Sequence, residues 1–247
     1  MLKVTVFKDE RILARTKAGQ IAAALTGKPD LVLGLPTGRT PIRLYHELGS
    51  LHWTGHADFS RATTFNLDEF LGIPGDHPGS YRTFMEQHLF SRVNIGPENM
   101  HVLNGATSDP DAECRRYERA IEDAGGIDLQ VLGIGTNGHI GFNEPARELT
   151  GPTHRVTLTA STRRSNAALF GGDPEKVPAE ALSMGMSTIL HARRIVLIAT
   201  GKSKARCIEQ VLNGPITTKL PASFLQLHSD VELVLDEAAA GQLPVRG

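Results

Sequence analysis

The sequence is poor in cysteine, in aromatic residues and in net charge, and each shortage excludes a class of protein. Its 247 residues include two cysteines and one tryptophan, with 26 basic against 27 acidic side chains. The cysteines, Cys114 and Cys207, offer neither a disulfide framework nor the paired spacing of a metal site, so we expect reduced thiols and a cytoplasmic location. A net charge of −1 predicts no nucleic-acid partner and no membrane surface held by bulk charge.

Long hydrophobic runs are also missing. No segment approaches the roughly 18 apolar residues of a membrane span, and charged residues at positions 8–11 interrupt the N-terminal apolar run before a signal-peptide core could form. What the chain does have is 40% hydrophobic residues, over a length that one α/β domain commonly occupies. We therefore expect a single domain over residues 1–247, without a secretory signal or membrane segment.

Short aliphatic or β-branched runs alternate with longer amphipathic stretches along the chain. The predicted strands, several of them apolar on both faces, are residues 3–7, 31–35, 62–65, 100–103, 129–134, 155–158, 195–200 and 231–235. The predicted helices are residues 11–25, 41–48, 81–90, 110–124 and 203–212, and the fourth has Asp109 as N-cap. This order predicts an α/β fold, a three-layer sandwich with a mostly parallel, Rossmann-like central sheet. The least regular stretch, residues 145–178, is either a mobile lid or ordinary surface.

Polar residues just after the predicted strands are candidates for a site, because ligands bind at the carboxyl ends of strands in parallel sheets. The first group lies in residues 34–41, where Thr37, Gly38, Arg39 and Thr40 precede a helix. Glycine lets the backbone approach an anion, and free N–H groups at the start of a helix point toward it. The turn fits a phosphate group, although an ordinary strand-to-helix turn contains the same residue types.

Two further strand ends carry charged residues. Asp68 and Glu69 follow a strand, and a partly desolvated Asp68 is a candidate proton-transfer base, with helix capping as the ordinary alternative. Lys204 lies after a later strand, where it can neutralise one phosphate as a point charge. Residues 201–204 imitate a nucleotide-triphosphate loop, but Val196 stands where that loop requires its leading glycine, so we reject nucleotide binding.

The densest group of glycines and polar residues spans positions 132–145. Its first glycines have dinucleotide-binding spacing, but Gly141 and Pro145 interrupt the helix that should follow, and the expected acidic residue is missing. We interpret the glycines as exposing a loop with His139 and Glu144, a pair able to shuttle protons near neutral pH. A structural histidine is the ordinary alternative. The sequence lacks metal-ligand spacing and a serine-hydrolase elbow, so we expect no metal and no other cofactor.

Several segments together resemble the glucosamine-6-phosphate deaminases, in order and spacing over almost the whole chain. They are residues 35–41, 65–70 with His77-Pro78 and Ser80-Tyr81, 133–145, and 225–228. The resemblance implies an enzyme that converts glucosamine 6-phosphate, a small amino-sugar phosphate, to fructose 6-phosphate and ammonia. The related 6-phosphogluconolactonases share the fold but lack the continuation at residues 142–145. A sugar-phosphate sensor domain, the other alternative, would need no proton-transfer residues.

The resemblance also implies residue roles. Asp68 is expected to be the base that moves the C2 proton to C1, and His139 the acid/base that opens the pyranose ring. Glu144 is expected to be the carboxylate partner of that histidine, and Asn137 the third member of this group, where the best-known relatives have aspartate. Because an asparagine can orient an imidazole but cannot stabilise its charge, we expect Glu144 to carry more of that role.

Two departures from the best-known relatives concern phosphate binding and regulation. The resemblance places the phosphate against residues 37–40 and Lys204, but Ala168 stands where those relatives have a phosphate-binding arginine. Our hypothesis is that Arg39 supplies the missing guanidinium, and the alternative is a phosphate held by Arg164 or Lys204.

The second departure concerns regulation and lies after the loop at residues 132–145. Where allosteric relatives bind N-acetylglucosamine 6-phosphate, this chain has Arg147, Glu148, His154 and Val156, so we expect no activation by that effector. The sequence leaves open whether the protein forms a homo-oligomer and whether it prefers the glucosamine or the galactosamine epimer.

Overall fold

The computed structural model describes residues 2–244, so the predicted range 1–247 extends beyond the described residues at both ends. Strands and helices alternate along the chain and are joined by turns, some of them short 3-10 helices. The strands are β1 (Lys3–Phe7), β2 (Val32–Leu35), β3 (Thr63–Asn66), β4 (Asp68–Phe70), β5 (Met100–His101), β6 (Leu129–Leu132), β7 (His154–Thr157), β8 (Glu180–Ser183), β9 (Arg194–Ala199) and β10 (Val231–Asp236). The α-helices are α1 (Glu10–Gly27), α2 (Arg39–Trp53), α3 (Tyr81–His88), α4 (Pro110–Asp123), α5 (Ala160–Asn166), α6 (Met186–Leu190) and α7 (Ala205–Asn213).

Seven of the strands form one parallel sheet in the order β1-β10-β9-β6-β2-β3-β5. From β2 the chain adds β3 and β5 on one side, and from β6 it adds β9 and β10 on the other. The direction of winding therefore reverses between β2 and β6, and such a switch point opens a crevice at the carboxyl ends of the strands. The predicted α/β fold with a mostly parallel sheet is confirmed.

Helices cover both faces of this sheet. One face is packed by α1, α2 and α3, with Leu13, Leu44 and Phe84 among the buried side chains. The opposite face is packed by α4, α6 and α7, with Tyr117 and Ile208 among theirs. Apolar side chains on both sides of the central strands are needed for this three-layer arrangement, which explains the unbroken hydrophobic runs in the sequence.

A second, smaller sheet was not expected from the sequence. It is antiparallel, in the order β4-β8-β7, and the predicted strand at 155–158 corresponds to β7 in this sheet rather than to a strand of the large one. The stretch from 145 to 178, predicted to be the least regular of the chain, contains α5 as well as β7. Buried aromatic side chains, including Phe70, Phe142 and Phe170, fill the space beneath it. The stretch therefore forms a packed roof over one end of the large sheet.

The helix ends follow the predicted capping in the clearest case. Asp109 accepts a hydrogen bond from Ala112 N at 2.9 Å, as expected for the N-cap of α4. Among the helices within residues 2–244, none combines the length and the apolar character needed to cross a bilayer.

Candidate active site

A cleft of about 490 Å³ opens at the carboxyl ends of four adjacent strands, β9, β6, β2 and β3. The residues that follow each of these strands line the cleft. The lining residues nominated from the sequence are Thr37, Gly38, Arg39 and Thr40 after β2, Asp68 after β3, His139 after β6 and Lys204 after β9. The structure thus brings residues that are far apart in sequence into one cleft at the switch point of the sheet.

The turn after β2 is built to leave backbone donors free. Gly38 has φ +91° and ψ −173°, a conformation that side-chain-bearing residues rarely adopt, and it directly precedes α2. No side chain from the described part of the chain caps the first turn of α2, and Pro41 occupies a first-turn position that needs no intrahelical N–H bond. The N–H groups at the start of this 15-residue helix, with its positive dipole end, therefore face the cleft.

Two cations lie at this end of the cleft. Lys204 Nζ donates to the carbonyl of Ile134 at 2.6 Å and keeps its other donors free. Burial lowers the pKa of Lys204, and the positive charge of Arg39 lowers it further, so the two cations share one region. Within residues 2–244 Arg39 makes no ion pair and no side-chain hydrogen bond, whereas Arg43, one turn later, pairs with Glu10 at 3.1 Å.

Two neighbouring arginines of α5, Arg163 and the sequence-derived alternative Arg164, do not line this cleft. Arg163 bonds the backbone of Val177 and lies 3.2 Å from a carboxylate oxygen of Glu175. Arg164 and Ala168 are both exposed, and the methyl side chain of Ala168 cannot bind a phosphate through charge. The alternative of a phosphate held by Arg164 therefore lacks geometric support.

Asp68 and its neighbour Glu69 have opposite surroundings. Burial and the charge of Glu69 raise the pKa of Asp68 to about 8, although the Thr37 hydroxyl offsets part of the shift. Asp68 Oδ1 is buried and, among the described residues, has no hydrogen-bond partner. The Glu69 carboxylate instead accepts from four donors: Phe70 N at 2.8 Å, Ser80 Oγ at 2.7 Å, Tyr81 N at 3.0 Å and Arg82 N at 3.0 Å. Glu69 thus performs the helix capping that was the ordinary alternative for Asp68, and Asp68 remains available to a ligand.

His139 is held by a short chain of hydrogen bonds. Its Nδ1 lies 2.7 Å from Asn137 Oδ1, and Asn137 Nδ2 donates to Glu144 Oε2 at 2.7 Å. Glu144 Oε1 lies 3.5 Å from the same imidazole nitrogen and accepts a hydrogen bond from Thr162. Burial raises the pKa of Glu144, but contacts with His139, Thr162 and Asn137 outweigh this effect and lower the pKa to about 2. Glu144 is therefore ionised at any pH near neutrality.

The glycine-rich loop allows the imidazole to lie against the backbone. A methyl group at Gly135 would lie 2.2 Å from a ring carbon of His139, so any larger residue at that position would have to displace the ring. The tight turn is closed by a hydrogen bond from Gly135 N to the carbonyl of His139 at 2.9 Å. Residues 133–153 contain turns and bends but no helix. The helix that a dinucleotide-binding motif requires after its glycines is therefore absent from this segment, in line with the sequence analysis.

Sequence reasoning missed several residues that line the cleft, among them Tyr81, Thr162 and Asn166. Tyr81 donates its hydroxyl hydrogen to Asn166 Oδ1 at 3.2 Å. Thr162 and Asn166 belong to α5, which the hydrophobic pattern did not reveal. The one local signal was Thr159, a residue type common at N-caps, whose side chain accepts from Thr162 N at 3.1 Å. Across residues 2–244, no cluster of three or more His, Cys, Asp or Glu side chains has the geometry of a metal site.

An open parallel sheet with cations, a free helix start and proton-transfer side chains at its switch point is typical of enzymes that act on small phosphorylated molecules. Comparison with known proteins narrows this class. The profile of the family described as glucosamine-6-phosphate isomerases/6-phosphogluconolactonase matches residues 9–234, and the chain belongs to this family.

Relatives match this chain along nearly its whole length. A protein of Halothermothrix orenii named glucosamine-6-phosphate deaminase is 47% identical over 98% of this chain and 100% of its own. Glucosamine-6-phosphate deaminase 2 of Bacillus subtilis strain 168 is 45% identical over 98% of each chain. The solved structure of a monomeric glucosamine-6-phosphate deaminase is 43% identical, covers 97% of this chain and 99% of its own, and superposes with a TM-score of 0.93. A 6-phosphogluconolactonase from Trypanosoma cruzi shares the fold at 22% identity, with a TM-score of 0.80 over 98% of this chain and 97% of its own.

Proposed function

We propose that the protein converts glucosamine 6-phosphate and water to fructose 6-phosphate and ammonia, a step of amino-sugar catabolism. One observation carries the proposal. The Asp68 carboxylate, with its unpartnered oxygen, lines the same cleft as the His139 imidazole, and the cations Arg39 and Lys204 line that cleft as well. Relatives named for this activity, at 42–47% identity, support it.

Ring opening is assigned to His139. A carboxylate only accepts hydrogen bonds, so the NH₂ group of Asn137 faces Glu144 and its oxygen faces the imidazole. The proton of the neutral imidazole then resides on Nδ1, which leaves Nε2 able to accept a proton. In the proposed step Nε2 takes the proton of the C1 hydroxyl, and the resulting imidazolium returns one to the ring oxygen as the C1–O5 bond breaks.

Isomerisation is assigned to Asp68. Its ionised carboxylate removes the C2 proton of the open-chain aldehyde while the protonated amino group at C2 gives a proton to O1, which forms an enolamine, and the carboxylate then delivers the C2 proton to C1. The product is a ketose imine, to which water adds at C2 before ammonia leaves, so that fructose 6-phosphate remains. Burial raises the pKa of Asp68 to about 8, which makes the carboxylate a much stronger base than an exposed aspartate.

Phosphate binding is assigned to the start of α2 together with Arg39 and Lys204. Backbone N–H groups of residues 38–40 supply directional donors, and the two cations supply charge. Thr37 and Thr40 add hydroxyl groups to the same wall of the cleft. This arrangement supports the hypothesis that Arg39 replaces the arginine that best-known relatives have at the position of Ala168.

Ammonia release from glucosamine 6-phosphate tests the proposal. We expect turnover with this substrate, at least about 100-fold less with Asp68→Asn, in line with what a general base contributes. Unphosphorylated glucosamine is expected to be a poor substrate because the cationic end of the cleft then has no partner. A lactonase or a sensor domain would release no ammonia, and that result would overturn the proposal. A cytoplasmic location stays a prediction that localisation can test, and light scattering can determine the oligomeric state, which the sequence left open.

A further inference from the structure

The helix α5 forms part of the roof of the cleft, and we refer to it as the roof helix. It has seven residues, too few to be stable on its own in water. Contacts near both of its ends hold it over the cleft. Thr162 binds Glu144 at the first turn, and Asn166 accepts from Tyr81 at the last.

The contact at the first turn has a defined direction. Thr162 is buried, and its Oγ1 donates to Glu144 Oε1, because the carboxylate carries no hydrogen to donate. Thr162 Oγ1 also lies 3.0 Å from the hydroxyl of Thr159, which must then be the donor in that pair. Thr159 in turn accepts from Thr162 N as the N-cap of the roof helix. The cap of the helix and the carboxylate therefore belong to one hydrogen-bonded chain.

The same carboxylate fixes the imidazole. Glu144 Oε1 is held by Thr162 and Oε2 by Asn137, so rotation of the carboxylate would break at least one hydrogen bond. Asn137 is oriented by Glu144, and His139 is oriented by Asn137. The titratable group that faces Glu144 is His139, whereas Asn137 and Thr162 are uncharged.

We propose that Thr162 is a positioning residue for the ring-opening group: its hydroxyl fixes the plane of Glu144 and, through Asn137, the orientation of His139, so that the group is fully ordered only when the roof helix is seated. This inference rests on the proposed function for its catalytic meaning. Thr162 acts through Glu144 and carries no proton in the reaction.

The opposite end of the roof helix supports the rigid placement of Thr162. Tyr81 bonds Asn166, and the backbone N–H of Tyr81 is itself held by the Glu69 carboxylate at 3.0 Å. Glu69 adjoins Asp68, the proposed base. The helix is therefore connected to the surroundings of both proposed proton-transfer residues.

The test compares Thr162→Val with Thr162→Ser. Valine has nearly the shape of threonine but no hydroxyl, whereas serine keeps the donor. We expect kcat for ammonia release to fall about tenfold in Thr162→Val, less than the about 10²- to 10⁴-fold that a general acid–base group contributes, with KM within about twofold. Thr162→Ser should stay close to the wild type.

A second measurement separates positioning from simple support of the roof. Without the hydroxyl, the Glu144 charge is less compensated at the oxygen nearest the imidazole, so the titration midpoint of His139, followed by NMR and assigned with His139→Gln, should rise. Thr159→Ala removes the helix cap but leaves the donor to Glu144. It should lower the melting temperature without moving that midpoint.

The inference is wrong if Thr162→Val matches wild type in kcat and in the His139 midpoint, or if Thr159→Ala reproduces both changes. Should Thr162→Val fail to fold, Thr162→Ala removes the donor without added bulk and is held to the same two criteria. A wild type that releases no ammonia would refute the proposed function alone. The His139 midpoint of the Thr162 variants would still decide whether the hydroxyl positions the group.

Discussion

Asn137 Oδ1 lies 2.7 Å from His139 Nδ1, so an uncharged amide is the direct hydrogen-bond partner of the imidazole. The Glu144 carboxylate stands behind it, 3.5 Å from the same nitrogen, and reaches the imidazole mainly through Asn137. The amide can fix which nitrogen carries the hydrogen, but it adds no charge next to it. Stabilisation of an imidazolium by charge then depends on Glu144.

Asn137→Asp should therefore raise the titration midpoint of His139, because it adds a negative charge to that of Glu144 and brings it closer to the ring. We expect turnover to be retained within about tenfold, since a carboxylate oxygen can replace the amide oxygen as acceptor. An NMR titration of the histidines measures the shift. Asn137→Ala is the control, and it should lose turnover because the imidazole then lacks its direct hydrogen-bond partner. An unmoved midpoint in Asn137→Asp would contradict the direct contact.

Asp68→Asn should abolish turnover and stabilise the fold. The folded pKa of Asp68, about 8, lies above its ordinary value of 3.8, so the folded state favours the protonated form. Ionisation of Asp68 does not lower the free energy of unfolding below about pH 4, lowers it progressively as pH rises, and has its full effect above about pH 8. Each kcal/mol recovered raises the melting temperature of a chain of this size by about 2–4 °C. Thermal melts at pH 5 and pH 8 should show a larger gain at pH 8, and a gain independent of pH would rule out the buried charge as its cause.

The same shift predicts the pH dependence of activity. Because Asp68 acts as a base when ionised, kcat/KM should rise toward a plateau with an apparent pKa near 8 in the free enzyme. The charge of Glu69 contributes to that raised pKa, so Glu69→Gln should move the acidic limb to lower pH wherever the variant folds. Rate profiles of both proteins, with circular dichroism as the folding control, measure the difference. An acidic limb near pH 4 in the wild type would contradict the buried base.

Arg39→Ala should raise KM for glucosamine 6-phosphate about tenfold or more and change kcat little. A hydrogen bond to a charged group contributes about 1.5–3 kcal/mol, and each 1.4 kcal/mol is a factor of ten. Arg43→Ala is the matched control, because Arg43 lies one turn further along α2 and is already paired with Glu10. Equal KM values in the two variants would refute the role of Arg39.

Gly135→Ala should displace the imidazole, because the added methyl would lie 2.2 Å from the His139 ring. We expect turnover to fall at least tenfold with little change in substrate affinity. In the same loop, a methyl at Gly133 would meet nothing within 4 Å, so Gly133→Ala should lose much less activity. Steady-state kinetics of the pair measure the contrast, and similar losses in both would mean that loop flexibility, rather than contact with the ring, is responsible.

Much of the large sheet could be predicted because its strands are short apolar runs that stand out in the sequence. The run at β9 is apolar on both faces and ends at a polar turn, a pattern that requires burial between two helical layers. The cleft could be predicted for the same reason, since Asp68, His139 and Lys204 each follow such a strand. The fold rule that places ligands at strand ends then brings them together.

Apart from the strand at 155–158, which corresponds to β7, the small sheet and the roof helix were not predicted, and the reason is physical. Strand β4 has three residues and follows β3 after Leu67 alone, too short for a period-2 signal. The helix α5, sequence ASTRRSN, has no apolar face, because its contacts with the cleft are made by hydroxyl and amide groups. Hydrophobic periodicity does not detect an element that is held by polar contacts, so Thr162 and Asn166 could be identified as cleft residues only from the structure.

The strands at the two edges of the large sheet, β1 and β5, supply none of the proposed proton-transfer or phosphate-binding groups. Outer strands open most readily in native proteins, whereas central ones exchange their amide hydrogens slowly. Fraying at these margins should thus leave turnover untouched. On mild heating, the edge strands are therefore expected to open at temperatures at which the enzyme still keeps its activity.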